Sequence, residues 1–293
     1  MSDQLPAVIP VAAVVLHQAE VDAVIVDLWI GHHRSPHTVR NYRRQAAAFL
    51  AYVGKPLAQV RVSDLQGYLG TLEGLAPATR ANATAAVKSL LSYAHRAELV
   101  PHNAGSVVQA PAVRNVLSER ILDRDDVSRM LALETGPRNK VVLTLLYAAG
   151  LRISEVCGLR WCNLQVRDDA GQITIVGKGE TTRVVLLSKR TWTMLVELQG
   201  ASGPQDAVFR SRKGGGNLDP SMVHRIVKAT AERAGLSAEI SAHWLRHAHA
   251  SHSLDRGAPI HLVMATLGHA SVATTGRYLH ARPTDSSARY LGV

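Results

Sequence analysis

Residues 243–278 read HWLRHAHASHSLDRGAPIHLVMATLGHASVATTGRY, and the rest of the chain is organised around them. Helical runs are predicted there at about 244–256, 260–267 and 271–279. The polar residues of this stretch suit a phosphodiester. The guanidinium of Arg246 is a planar fork of donors matched to phosphate oxygens. His243 and His269 can hydrogen-bond or move protons near neutral pH. Tyr278 carries a phenolic oxygen able to form a covalent intermediate. With an ordinary pKa of about 10, that phenol needs neighbouring positive charge or a base to ionise.

Two segments upstream complete the pattern. Gly150-Leu151-Arg152-Ile153-Ser154-Glu155 follows an apolar helix predicted at 138–149. Gly177-Lys178-Gly179 stands at the turn between strand-like runs at 173–176 and 183–187, a hairpin with a lysine at its tip. In this order, Arg152, Lys178, His243-x-x-Arg246, Leu267-Gly268-His269 and Tyr278 resemble the tyrosine recombinase (phage integrase) family, and most of all its compact Xer-type members. The resemblance covers nearly the whole chain, and the ordered set is highly specific, whereas H-x-x-R alone occurs by chance in many proteins. One departure stands in the first motif. The family's common Pro-His-x-Leu-Arg-His is here Ala242-His243-Trp244-Leu245-Arg246-His247, and Trp244 is expected to pack beside the site.

The resemblance implies a site-specific DNA recombinase working through a 3′-phosphotyrosine and a four-way junction, for integration, excision or dimer resolution. Tyr278 would be the nucleophile, Arg152 and Arg246 the phosphate-stabilising pair, and Lys178 the general acid for the departing 5′ oxygen. His243 would handle the tyrosine proton or bond the phosphate, and His269 would be a further phosphate donor. The partners implied are a double-stranded recombination site and three further subunits, in a homo-tetramer or a hetero-tetramer with a second recombinase. No cofactor and no metal are implied. Phosphoryl transfer needs its nonbridging charge neutralised, and two arginines can do what magnesium held by carboxylates does elsewhere.

Composition agrees with such a partner. The 293 residues carry 33 Lys and Arg against 23 Asp and Glu, a formal charge of +10, which favours a polyanion. Hydrophobic residues make up 46%, enough for a real core rather than a disordered tail. No apolar run reaches bilayer length and the acidic start is unlike a secretory signal, so no membrane association is expected and the expected compartment is the cytoplasm or nucleoid. Cys157 and Cys162 fit no zinc spacing or disulfide framework.

Read in order, the chain is expected to be mainly α with a small antiparallel β-sheet, an α+β arrangement. An N-terminal arm, 1–19, precedes a four-helix bundle over 20–101. Its first helix is expected to turn Val21, Val24, Leu28 and Ile25 inward. Ser35-Pro36 starts the second helix and Gly54 closes it. A linker over 102–118 breaks the periodicity, a second domain fills 119–280, and a tail, 281–293, is a candidate for docking on a neighbouring subunit. By resemblance the bundle is the core-binding domain, which closes a C-shaped clamp on DNA with the catalytic domain. Arg40, Arg43, Arg44, Thr79, Arg80, Asn82 and Lys88 are its candidate phosphate contacts.

Three rival readings are open to test. A zinc site among His243, His247, His249 and His252 lacks the glutamate of H-E-x-x-H, because Trp244 stands there. A type IB topoisomerase would relax any supercoiled plasmid. A non-catalytic DNA-binding regulator would tolerate loss of the Tyr278 hydroxyl.

Overall fold

The structure is a computed structural model, which describes residues 18–33, 35–112, 116–177, 181–211 and 214–279. The chain forms two compact units, 1–114 and 115–293. The expected arm to residue 17, Lys178 and the tail from residue 280 lie outside the described residues. Among the described residues no helix is long and apolar enough to cross a membrane.

The first unit contains α1 (Gln18–Gly31), α2 (Pro36–Val53), α3 (Val62–Thr71) and α4 (Pro77–Arg96). Local signals set the ends of α2. Ser35 and Pro36 open it, and Gly54 closes it in the left-handed region at φ +60°, its N–H bonded to the Leu50 carbonyl at 3.1 Å. The core is built from Ile25, Trp29, Phe49, Leu65, Leu90 and Leu91, and Val100, Ala104 and Val108 beyond α4 belong to it.

The inward face of α1 differs in part from expectation: Val21 and Ile25 face the core as expected, Val24 and Leu28 do not. Ile25, Val26, Trp29 and Ile30 are buried, while Val24 and Leu28 stand about half exposed at 47% and 49%. The run EVDAVIVDLWI is apolar around most of its circumference, so periodicity does not select a face. The largest side chain decides it. Trp29 stacks on Tyr42 at 4.9 Å and donates its Nε1–H to Ser89 Oγ at 3.1 Å, turning Val24 and Leu28 outward.

The second unit runs α5 (Arg124–Leu133), α6 (Pro137–Ala148), α7 (Ile153–Gly158), β1 (Leu164–Arg167), β2 (Ala170–Val176), β3 (Thr182–Leu187), α8 (Lys189–Val196), α9 (Pro220–Arg233), α10 (Ala242–Asp255), α11 (Ile260–Leu267) and α12 (Val272–Gly276). The strands form an antiparallel sheet in the order β1-β2-β3, with Ile173 opposite both Leu164 and Val185. Buried Ile173, Ile175, Val185 and Leu187 line its inner face. The apolar helix α6 lies in the core with Val141, Val142, Leu143, Leu145 and Leu146 all buried, as its all-round hydrophobicity requires.

Gly171 sits under the indole of Trp192, where a β-carbon would lie 2.1 Å from Trp192 Cε3. Gly171→Ala is therefore expected to lower the stability of this unit by about 3 kcal/mol, since the sheet or the indole must shift. Chemical denaturation followed by tryptophan fluorescence measures it, and an unchanged midpoint would contradict this packing.

Candidate active site

The site is assembled on the carboxyl end of α11. Three consecutive carbonyls there have lost their helical partners and project outward. Each takes a different arginine. Arg183 Nε donates to Thr266 O at 2.9 Å, Arg246 Nη2 to Leu267 O at 2.5 Å, and Arg152 Nη2 to Gly268 O at 3.2 Å. The negative end of the helix dipole favours such a cationic cluster. Glu155 completes it. Its carboxylate accepts from Arg183 Nη1 and Nη2 at 2.9 and 2.7 Å and from Arg152 Nη1 at 2.9 Å.

Arg246 is 5% exposed and also donates Nη1 to the carbonyl of Gly150. Gly150, at φ +60°, ends α6, and a β-carbon there would meet His249 Cδ2 and Leu267 Cδ2 at 2.8 Å. Burial first, then neighbouring Arg152, brings the Arg246 pKa down to about 10, so the group is still charged at neutral pH. Among the described residues, two of its five N–H donors are used on carbonyls, and the others are free for a phosphate.

The Glu155 carboxyl is pushed up by burial, but the hydrogen bonds and charges of Arg183 and Arg152 outweigh that and hold it below the usual glutamate value. The Arg183 pair is well shielded, with side chains 13% and 10% exposed, whereas Arg152 at 38% is screened by solvent and contributes less. Glu155→Gln is expected to cost about 3 kcal/mol at pH 7, because a buried guanidinium is left uncompensated. A lowered carboxyl pKa stabilises above the unfolded value, about 4.3, and that stability is lost as pH falls through the folded value. The deficit should therefore close in acid. Urea melts of both proteins at pH 7 and at low pH check this, and a pH-independent deficit would contradict it.

Tyr278 follows α12 and is 7% exposed, in a small cluster with Leu117, Ile121, Ala250, Val263 and Leu267. Its hydroxyl hydrogen-bonds to His247 Nδ1 at 2.7 Å. Burial raises its pKa, and Arg246 and Arg277 only partly oppose that. The positive surroundings therefore do not by themselves bring this phenol below its ordinary pKa.

The histidines divide by environment. His269 Nδ1 bonds Thr275 Oγ1 at 2.8 Å, and burial followed by Arg246, Arg152 and Arg183 pushes its pKa down to about 4. With the proton on Nε2, its Nδ1 accepts from Thr275 and Nε2–H remains as a donor. His243 is exposed at the rim. Crowding by the protein, then Arg246, lowers its pKa. His249 is held by the Tyr147 carbonyl at 2.7 Å and serves packing between α10 and α6. Trp244 packs on the unit's main core. Among the described residues no group of three or more His, Cys, Asp or Glu is placed to hold a metal.

Arg152, Arg246, His269, His243 and Tyr278 thus fall in one region of the second unit. Lys178 lies outside the described residues, and the strands that carry it pair as far as Val176 opposite Thr182. In the first unit Arg40, Arg43, Arg44, Thr79 and Asn82 are exposed on α2 and α4, with Arg80 half-buried. Arg43 pairs with Asp27 at 3.0 Å, and Arg44 and Arg40 bond Asn41 and His37. Lys88 differs: its ammonium donates to the Val108 carbonyl inside the unit.

Arg183, Glu155 and His247 were not among the expected site residues. Arg183 occupies an inward position on β3, two before Val185, and a cation on that face is itself the signal. Glu155 was legible only as an ion-pair partner of Arg152. His247 lies four residues after His243 and so shares its helix face, with ring centroids 6.2 Å apart.

Comparison with known proteins finds relatives that span both units. Residues 120–285 match the model of the Phage integrase family, and residues 23–98 match Phage integrase, N-terminal SAM-like domain. The chain is 33% identical over 267 residues to Tyrosine recombinase XerC of Myxococcus xanthus, covering 83% of this chain and 87% of that protein. It is 32% identical over 273 residues to Tyrosine recombinase XerC of Xylella fastidiosa strain 9a5c, covering 89% and 91%. Among solved structures, the fold is similar to XerH site-specific recombinase bound to difH substrate, with TM-score 0.70, 21% identity and coverage of 90% of this chain and 82% of that one. It is also similar to a lambda integrase(75-356) dimer bound to a COC' core site, with TM-score 0.74, 16% identity and coverage of 92% and 97%.

Proposed function

The chain belongs to the phage integrase family and is a tyrosine-type site-specific recombinase acting on DNA, and from that premise we propose that Tyr278 is its nucleophile. Tyr278 attacks a DNA phosphate, giving a 3′-phosphotyrosine and a free 5′-hydroxyl. A partner strand's 5′-hydroxyl then reverses the step at a new junction. One phosphodiester replaces another of similar energy, so the exchange needs no energy input. Four subunits acting in pairs on two duplexes would pass through a four-way junction.

The observation that carries this reading is the placement of Arg246. A buried guanidinium, fixed by two main-chain carbonyls and charged at neutral pH, stands close enough to Tyr278 to favour its ionised form. Fixed donors of this kind need no reorganisation as charge develops on the nonbridging oxygens. Arg152 is the second donor, held by Glu155 and the Gly268 carbonyl. His269 presents Nε2–H to the same phosphate, His243 reaches it from the rim, and Lys178 protonates the departing 5′ oxygen. Arg40, Arg43 and Arg44 of α2 and Thr79, Arg80 and Asn82 of α4 contact the DNA backbone, with Lys88 doing so only after leaving Val108.

The test starts from a duplex site selected by the protein from a randomised library, nicked so that cleavage traps the complex. The covalent complex is expected to carry DNA through its 3′ end and to leave a 5′-hydroxyl that polynucleotide kinase labels directly. A 5′-linked complex would overturn the reading.

A further inference from the structure

Tyr278 and His247 come from different elements, the turn after α12 and the middle of α10, 31 residues apart. Their rings lie 5.7 Å apart at 45°, with Oη and Nδ1 at 2.7 Å. Among the described residues the Tyr278 hydroxyl hydrogen-bonds to His247 alone. A proton acceptor must first stand within hydrogen-bond reach of the proton it takes. His247 meets that condition. His243, its neighbour one turn back, stands exposed at the rim and is left to the phosphate.

We propose that His247 is the base that takes the phenolic proton of Tyr278 during strand cleavage and returns it during rejoining. This rests on the reading of Tyr278 as the nucleophile. In cleavage the Oη–H bond breaks and its proton passes to Nδ1, while Oη bonds to phosphorus. The P–O5′ bond breaks, its electron pair leaves on O5′, and O5′ takes a proton from the acid assigned to Lys178. In rejoining the incoming 5′-hydroxyl gives its proton to the group assigned to Lys178 as O5′ bonds to phosphorus, the P–Oη bond breaks, and the Tyr278 oxygen recovers its proton from His247.

The surroundings suit an acceptor. Burial, then His243, Arg246, Arg120 and Arg277, push the His247 pKa down to about 4, so the ring is neutral at every pH where the protein would work. With the ring proton on Nε2, Nδ1 offers its lone pair to the phenol. Burial first, and these cations after it, make Nδ1 a weak base in the absence of DNA. A scissile phosphate on Arg246 and Arg152 brings negative charge that offsets the part due to the cations, which makes Nδ1 a better acceptor with DNA in place than without it.

The experiment compares single-turnover cleavage of an ordinary phosphodiester with a 5′-bridging phosphorothiolate, whose sulfur leaves without a proton. His247→Asn puts an amide where Nδ1 stood, keeping a polar partner without a basic nitrogen. It is expected to be about 10²–10³-fold slower on both substrates. Lys178→Ala should be slow on the first substrate and restored on the second. The His247→Asn rate should climb with pH toward ionisation of the phenol, while the unaltered protein is flat above about pH 6. His247→Gly, supplied with free imidazole, should recover cleavage saturably. Cleavage by His247→Asn with unaltered rate and pH profile, its restoration by the sulfur leaving group, or a folded, DNA-binding His247→Gly that imidazole cannot rescue would overturn the proposal. Adducts persisting in Tyr278→Phe would instead sink the nucleophile assignment, whatever His247 does.

Discussion

Tyr278→Phe is expected to abolish covalent capture of DNA, a fall of about 10⁵-fold or more, while binding to the same duplex is retained. The substitution removes one atom, Oη. The ring keeps its place among Leu117, Ile121, Ala250, Val263 and Leu267, so its apolar packing is unchanged. The cost in stability is limited to a His247 nitrogen that loses its partner, about 1 kcal/mol. Gel-shift titration and denaturing electrophoresis on one set of samples separate the two effects. Loss of binding in parallel with capture would mean that the phenol holds the domain together instead of doing chemistry.

Arg246→Ala carries the second large effect, a fall in cleavage of about 10³-fold, the scale for losing a preorganised donor to a developing anion. It also has a structural cost. The carbonyls of Gly150 and Leu267 lose their donor together, which is expected to remove about 3 kcal/mol of stability. Arg246→Lys separates the two. A lysine retains the charge but cannot span both carbonyls and a phosphate as the planar fork does, so cleavage should remain low in a protein that still folds. Arg152→Ala gives the complementary case. That side chain is more exposed and bridges less of the fold, so cleavage should fall with little change in the melting transition. Near-normal cleavage by Arg246→Lys in single-turnover assays would show that bare positive charge suffices.

The contrast between these arginines shows what sequence reading reaches. Motif order was enough to bring Arg152, Arg246, His269 and Tyr278 to one region: Arg152, His269 and Tyr278 each follow closely on a glycine, and Arg246 is fixed by its spacing from His243 within one helix. Helices α2, α4 and α6 were legible through proline starts and periodic or continuous apolar runs. Strand β1 was not. Its four residues show no alternation and stand mostly exposed at a sheet edge, and its turn relies on Asp168 at φ +53°, a conformation Asp tolerates. The inward face of α1 was misread at Val24 and Leu28, though not at Val21 and Ile25, because Trp29 chooses it through a partner on α2 and another on α4. Arg183, Glu155 and His247 were missed for a related reason. Their roles are contacts across 28 to 83 residues of chain, and neither spacing nor residue type reports a contact of that range.

The energetic logic of the site also becomes visible only in three dimensions. Sequence suggests a phenol softened by cations, yet the phenol is buried among aliphatic side chains and its pKa is raised. The cations are instead anchored by main-chain carbonyls at the end of α11 and by Glu155. In the proposed mechanism this arrangement keeps the nucleophile protonated until DNA brings a phosphate to Arg152 and Arg246. Cleavage without substrate in register is thereby disfavoured.

The most direct measurement is to trap the protein on its selected, nicked site, digest the complex with protease and nuclease, and locate the nucleotide-bearing residue by mass spectrometry. A 3′-linked nucleotide on the peptide containing Tyr278 is the result this mechanism requires. Attachment to Tyr290 or any other side chain would contradict it.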